Sequence, residues 1–261
     1  MRSYTPKKSF GQNFLQDEGL LSRIADAICS LRTSNETPVY EIGAGLGALT
    51  KSLLVKGAIV HAIERDRDLI PILQNTFLSQ IDAGKLILHE ANATTFFESS
   101  PESQPFVLSG NLPYHLSGTL FFETARIFDQ ILGAVYLIQK EVADRIAAGP
   151  HSKTYGLLSV LLQSRFDISI IEVVAPEVFW PPPKVESSVI CLRPKANPFR
   201  GDWDKFVHLV KAAFSMRRKV LTNSLSEYEN IESILLNLNI NPKSRAEDLE
   251  HTDYERILAC L

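Results

Sequence analysis

The run Asn111-Leu112-Pro113-Tyr114 joins two hydrogen-bond acceptors, a rigid link and an aromatic ring within four residues. Such a set suits chemistry at an aromatic amino group. The exocyclic nitrogen of adenine is a poor nucleophile, because its lone pair is delocalised into the ring. If the Asn111 side-chain oxygen and the Leu112 carbonyl accept its two N–H bonds, the lone pair is freed to point at a methyl donor, and no strong base is needed. Pro113 would fix the chain so that the Leu112 carbonyl faces the site, and Tyr114 offers a ring on which a base can stack. Read without its surroundings, N-x-P-Y has the bland alternative of a simple loop turn.

Upstream, Glu41-Ile42-Gly43-Ala44-Gly45-Leu46-Gly47 places alternating glycines where a strand turns into a helix, so that the backbone can turn tightly and approach a ligand. Gly43 and Gly45 are therefore candidate cofactor contacts. With Ala48 the run also satisfies G-x-G-x-x-G/A, which keeps a nicotinamide-dependent oxidoreductase in play. Glu64 ends the next strand, where an acid can accept hydrogen bonds from both hydroxyls of an adenosine ribose. Nicotinamide dinucleotides and S-adenosylmethionine both contain that ribose. The residues at 111–114 separate the two, because hydride transfer has no use for them.

The elements that must position these residues follow from periodicity. Asp17 can cap a helix whose apolar positions Leu20, Leu21, Ile24, Ile28 and Leu31 recur at helical spacing. Strands and helices then alternate: strand 39–42, helix 46–56, strand 59–64, helix 66–77 despite Pro71, strand 85–89, strand 106–109, and a helix from Ser117 to Phe128. Farther on come strand 134–138, helices 141–148 and 156–166, and strands 168–174 and 189–192, the last two expected to form an antiparallel pair at one end of the sheet. The order predicts an α/β fold with a mostly parallel sheet and ligands beyond the carboxyl ends of its strands. A Pro/Gly-containing linker at 195–201 precedes a stretch with helical patterning only, so the predicted domains are 1–194 and 195–261.

Composition narrows the class. Of 261 residues 45% are hydrophobic and 22% charged, ordinary for a globular protein, and no apolar run is long enough to span a membrane or resembles a signal peptide. A cytoplasmic protein is expected. Cys29, Cys191 and Cys260 lie far apart without C-x-x-C pairing, and the six histidines lack ligand spacing, so neither a disulfide framework nor a metal site is indicated. A net charge of −3 argues against coating nucleic acid by bulk charge. Basic residues are nonetheless clustered: Arg2, Lys7 and Lys8 at the start, and Lys211, Arg217, Arg218 and Lys219 ahead of an acidic tail. Lys7, Lys8 and the latter four are candidate phosphate contacts, although a charge cluster is often only a solvated face.

Taken together, Gly11-Gln12-Asn13-Phe14-Leu15, the glycine turn with Leu49-Thr50, Asn111 to Tyr114, Phe179-Trp180-Pro181-Pro182-Pro183-Lys184-Val185-Glu186-Ser187, the segment from Ala213-Phe214 to Asn223, and Arg245-Ala246-Glu247-Asp248-Leu249 resemble the ribosomal RNA small-subunit adenine-N6 dimethyltransferase family along nearly the whole chain. The resemblance implies a class I, Rossmann-like methyltransferase fold with a small helical C-terminal domain for docking on RNA or the ribosome. It implies S-adenosylmethionine as cofactor, held by Asn13, Leu15, Gly43, Glu64 and Asn111, with Phe179 closing over the target adenine opposite Tyr114 and Trp180 packing. The implied substrate is small-subunit rRNA in pre-assembled particles, dimethylated at two adjacent adenosines of the 3′-terminal hairpin loop by a monomer. A large-subunit rRNA adenine methyltransferase and a non-catalytic assembly factor are the alternatives, and the intact Asn111, Pro113 and Tyr114 speak for an enzyme. Two residues depart from the family pattern. Asn92 stands where an aspartate usually faces the cofactor adenine; it can accept through its oxygen or donate through its nitrogen, and weaker cofactor affinity is expected. His115 stands where Asn is common.

Overall fold

The computed structural model describes residues 4–7, 10–99, 104–114, 116–216 and 218–261. Arg2, Lys8, His115 and Arg217, singled out above, lie outside them. The chain divides into two compact units, Met1–Ala143 with Ser169–Pro194, and Asp144–Ile168 with Lys195–Leu261.

In the first unit the elements run β1 (Phe14–Leu15), α1 (Glu18–Cys29), β2 (Pro38–Ile42), α2 (Ala48–Val55), β3 (Ile59–Glu64), α3 (Ile70–Thr76), α4 (Leu78–Asp82), β4 (Leu86–Glu90), α5 (Ala93–Ser99), β5 (Phe106–Asn111), α6 (Ser117–Arg126) and β6 (Ile131–Gln139). After α7 (Lys140–Ala147) and α8 (Leu157–Gln163), β7 (Phe166–Val174), β8 (Phe179–Trp180) and β9 (Ser187–Pro194) return to the sheet region. The main sheet has the order β4-β3-β2-β5-β6-β9-β7. Its β4-β3-β2-β5-β6 part is parallel, and β9 runs antiparallel to β6, from Ala134↔Leu192 to Gln139↔Ser187. This is the expected α/β class.

Chain order leaves β2 toward β3 and β4 on one side and resumes with β5 and β6 on the other, so a crevice opens where the carboxyl ends of β2 and β5 part. Gly43 follows the first of these strands and Asn111 ends the second. Buried Val39, Val60, Ala62 and Val107 share one core cluster with Leu20, Leu21, Ile24 and Ile28 of α1, a helix that packs on β5 and β6. Asp17 caps α1 as expected, its carboxylate accepting from the Leu20 N–H at 2.7 Å.

Several elements differ from expectation for identifiable reasons. Helix α3 begins at Ile70 rather than at 66, with Pro71 in the first turn, where its missing N–H costs no bond. The preceding residues are held in a turn by the Asp66 carboxylate, which accepts from the Asp68 N–H at 3.1 Å. Strands β1 and β8 pair antiparallel, Phe14↔Trp180 and Leu15↔Phe179, and are too short for any periodic signal. The segment Asp144–Ile168, predicted in the first domain, groups with the C-terminal residues. Buried Val160, Leu161 and Leu162 make α8 a core helix there, and it packs against α9 (Trp203–Ser215). The second unit is completed by α10 (Leu221–Ser224), α11 (Ile231–Asn237) and α12 (His251–Leu258).

Candidate active site

A cavity of about 400 Å³ occupies the crevice, walled by residues 10–16, the turn at 41–46, Glu64, Asn92 and residues 110–114. Asn13, Leu15, Gly43, Gly45, Glu64, Asn92, Asn111, Leu112, Pro113 and Tyr114, all expected at a site, are brought together here. Phe179 is not among the lining residues.

At the floor, the Asn111 Nδ2 donates to the Asn13 main-chain oxygen at 2.7 Å. A carbonyl oxygen can only accept, so this contact fixes which end of the amide is which and leaves Oδ1 to accept a donor. The following loop is pinned from both sides. The Leu112 N–H donates to the Leu137 carbonyl at 3.0 Å, the Pro113 carbonyl accepts from the Leu116 N–H at 2.9 Å, and the Tyr114 carbonyl accepts from the Ser117 hydroxyl at 3.0 Å. Among the described residues no group donates to the Leu112 carbonyl. Tyr114 is half-buried with its hydroxyl 3.0 Å from that of Ser187, and burial raises its pKa, so the phenol stays neutral.

The glycine turn meets Glu64 directly. The Gly45 N–H donates to Glu64 Oε2 at 2.9 Å and the Asp66 N–H to Oε1 at 2.7 Å. Each carboxylate oxygen keeps a further lone pair for a hydroxyl. Burial raises the Glu64 pKa, opposed by these backbone N–H groups. At Gly45, φ is +60°, which favours glycine, and a Cβ would lie 3.0 Å from the Phe14 ring and crowd it. Glu41, behind the turn, is buried and accepts from the Thr50 hydroxyl at 2.6 Å. Burial pushes its carboxyl up to about 8; the Thr50 bond acts the other way and the Glu64 charge adds to the rise.

Sequence reading missed Asp66. Its carboxylate, 1% exposed, accepts from the Tyr4 hydroxyl at 2.6 Å, Lys7 Nζ at 2.6 Å and Gln12 Nε2 at 3.0 Å. Burial would raise its pKa, but these bonds, that of Lys7 foremost, outweigh it and hold the pKa at about 2. Lys7 also reaches Asp68 at 2.7 Å. The ammonium group expected on phosphate is thus engaged by two acids, one of them nearly inaccessible. The arm that walls the cavity is tied at Asp66 on one side and at Asn111 on the other. No local signal could reveal this, since Lys7 and Asp66 lie 59 positions apart.

Asn92 caps α5. Its Oδ1 accepts from the Thr94 N–H at 3.2 Å and the Thr94 hydroxyl at 3.0 Å, which leaves Nδ2 as the group that can donate into the cavity. Of the two options open for Asn92, donation is the one this geometry supports.

The aromatic pair at 179 and 180 is reversed from expectation. Phe179 is 3% exposed and packs in the core cluster that also holds Leu15, Leu21 and Ile24, whereas Trp180 is 41% exposed. Strand alternation is the cause: opposite Leu15 the Phe179 ring faces inward, and opposite Phe14 the Trp180 ring faces out.

The chain matches the family described as Ribosomal RNA adenine dimethylase over residues 4–261. It belongs to that family. Ribosomal RNA small subunit methyltransferase A of Anaeromyxobacter dehalogenans strain 2CP-C is 42% identical over 257 residues, covering 93% of this chain and 89% of the relative. The protein of that name from Thiobacillus denitrificans is 42% identical over 261 residues, covering 99% and 98%. Among solved structures, a dimethyladenosine transferase from Plasmodium falciparum superposes with a TM-score of 0.80 at 25% identity, covering 94% of this chain and 96% of that one.

In this adenine dimethylase the remaining expected residues lie in the second unit. Lys211 is on α9, and Arg218 and Lys219 are exposed in the turn after it. The Arg245–Leu249 signature is a structural corner: the Tyr254 hydroxyl donates to the Ala246 carbonyl at 2.7 Å, and the Glu247 carbonyl accepts from the His151 N–H at 2.7 Å. No helix among the described residues is long and apolar enough to cross a membrane, and no group of three or more His, Cys, Asp or Glu among them is placed to hold a metal.

Proposed function

We propose that this adenine dimethylase transfers methyl groups from S-adenosylmethionine to the N6 atoms of two adjacent adenosines in the 3′-terminal hairpin loop of small-subunit rRNA, two to each, acting as a cytoplasmic monomer on pre-assembled particles. The observation that carries the reading is the Asn111 amide, whose Nδ2 is tied to Asn13 so that Oδ1 is left as an acceptor beside the Leu112 carbonyl. Two acceptors and no base are what an adenine amino group needs to present its lone pair.

The cavity fits the cofactor: it is large enough, Glu64 accepts hydrogen bonds where a ribose would lie, Gly43 and Gly45 open the backbone, and Nδ2 of Asn92 can donate to a ring nitrogen. S-adenosylmethionine, when bound, supplies a methyl group made electrophilic by its sulfonium. Asn13, Leu15 and Asn111 wall the part of the cavity nearest the target, and Tyr114 gives the base a neutral face. Asn111 holds one amino proton, the Leu112 carbonyl the other, and the transferred proton leaves to solvent. Lys211, Arg218 and Lys219, with Lys8 and Arg217 outside the described residues, are proposed to hold phosphates.

The test is transfer from labelled cofactor to isolated small and large subunits that lack the modification. Dimethyladenosine in small-subunit rRNA alone supports the reading. Label in large-subunit rRNA would favour that alternative target, and cofactor binding without transfer to either would favour an assembly factor.

A further inference from the structure

Trp180 is the sole aromatic among the exposed large apolar side chains of the described residues. Its ring stacks on Phe14 with centroids 6.1 Å apart and planes at 28°, and Phe14 in turn lines the cavity that holds Asn111 and Tyr114. The β1–β8 pairing fixes this arrangement, because Phe14 and Trp180 are opposite partners on the face away from the core. Trp180 thus continues outward the aromatic wall that Phe14 begins inside. Phe14 lies to one side of the indole in an offset stack, and 41% of the residue remains exposed. The next residues, Pro181, Pro182 and Pro183, limit backbone freedom, and Lys184 follows them, exposed.

A fixed, solvent-facing indole beside an adenine pocket, with a cation in the same loop, has the makings of a stacking platform for an unpaired base. Building on the proposed reaction, we propose that Trp180 forms a second nucleobase subsite, taking an unpaired purine that flanks the target adenosine. Stacking there would hold the strand in register while the target base is extruded, and when one adenosine occupies the pocket its neighbour is the base available to the indole. A purine is favoured over a protein side chain because the ring lies on the wall that leads to the base pocket.

The test compares Trp180→Ala and Trp180→Phe with the unaltered enzyme in two measurements. In methyl transfer to unmodified small subunits, W180A should raise KM for the particle roughly tenfold, W180F should recover most of that loss, and neither should alter the dissociation constant of S-adenosylhomocysteine. In the second, a short oligoadenylate should quench tryptophan fluorescence of the unaltered protein saturably, and quenching should vanish in W180F. Unchanged KM in W180A overturns the subsite, as does weakened cofactor binding in both variants, which would mean packing only. A raised KM without oligoadenylate quenching would assign the ring to a ribosomal protein and also overturn it. Quenching by oligoadenylate, with no transfer to particles even by the unaltered enzyme, would leave the subsite standing and remove the proposed reaction.

Discussion

The Asn111 amide donates through Nδ2 to the main-chain oxygen of Asn13 at 2.7 Å, joining the end of β5 to the segment that walls the cavity. One side chain thereby does two things. It anchors the wall and, by using its donor end for that, presents its acceptor end to whatever enters. The sheet makes this possible because Asn111 is the last residue of a strand paired on both sides, with β2 and β6, so its backbone has little freedom.

The second tether of the arm runs through Asp66. Asp66→Ala removes the shared acceptor of Tyr4, Lys7 and Gln12, and with it the support of the loop whose Asp66 N–H holds Glu64. Leaving such partners unsatisfied costs about 1–3 kcal/mol. S-adenosylhomocysteine should bind roughly tenfold or more weakly by calorimetry. Undiminished affinity would show that the arm is held without Asp66.

Lys7 and the exposed pair after α9 should separate in salt dependence. Arg218→Ala and Lys219→Ala each should reduce the slope of log affinity for RNA against log salt by about one. Lys7→Met should leave that slope alone, because its ammonium faces Asp66 and Asp68. Particle binding measured between low and moderate salt checks this, and a reduced slope for K7M would restore Lys7 to the RNA surface.

Asn92→Asp keeps one oxygen for capping α5 through Thr94 and presents a second, charged acceptor in place of a donor. A charge-assisted bond to the adenine amino group should then tighten cofactor binding about fivefold. An equal or weaker dissociation constant would mean that donation by Nδ2 is already as good a contact.

Glu41 governs a pH dependence. Its folded pKa is about 8 against an ordinary 4.5, so the folded state binds the proton more tightly. Its contribution is complete below about pH 4.5 and is lost as pH rises through about 8. Each factor of ten in proton affinity is worth about 1.4 kcal/mol, so the loss amounts to a few kcal/mol. Glu41→Gln, which keeps an acceptor for Thr50, should flatten the fall of Tm between pH 5 and 8.5 to the part that Glu64 contributes; an unaltered profile would place the proton elsewhere.

Much of this was legible in the sequence, for reasons the structure makes plain. The glycine turn, Glu64 and Asn111 sit at the ends of short buried strands bounded by turn residues, a strong local signal, and α1 carried both a capping aspartate and a clean apolar stripe. What escaped depends on contacts between distant segments. Lys7 read as a free cation because Asp66 is remote in the chain, and the ends of the Asn92 amide could not be told apart without Thr94 in place. That Phe179 faces inward and Trp180 outward was not legible because their strand is two residues long, too short to show which faces the core until β1 is paired with it.

The central claim is tested most directly by single-turnover methyl transfer to unmodified small subunits, comparing the unaltered enzyme with Asn111→Ala, both saturated with S-adenosylmethionine and the products separated as mono- and dimethyladenosine. Removing one oriented polar contact to a reacting group slows chemistry by roughly 100-fold or more. That loss is expected at saturating cofactor, with both methylated products declining together. Transfer by Asn111→Ala at the rate of the unaltered enzyme would contradict it.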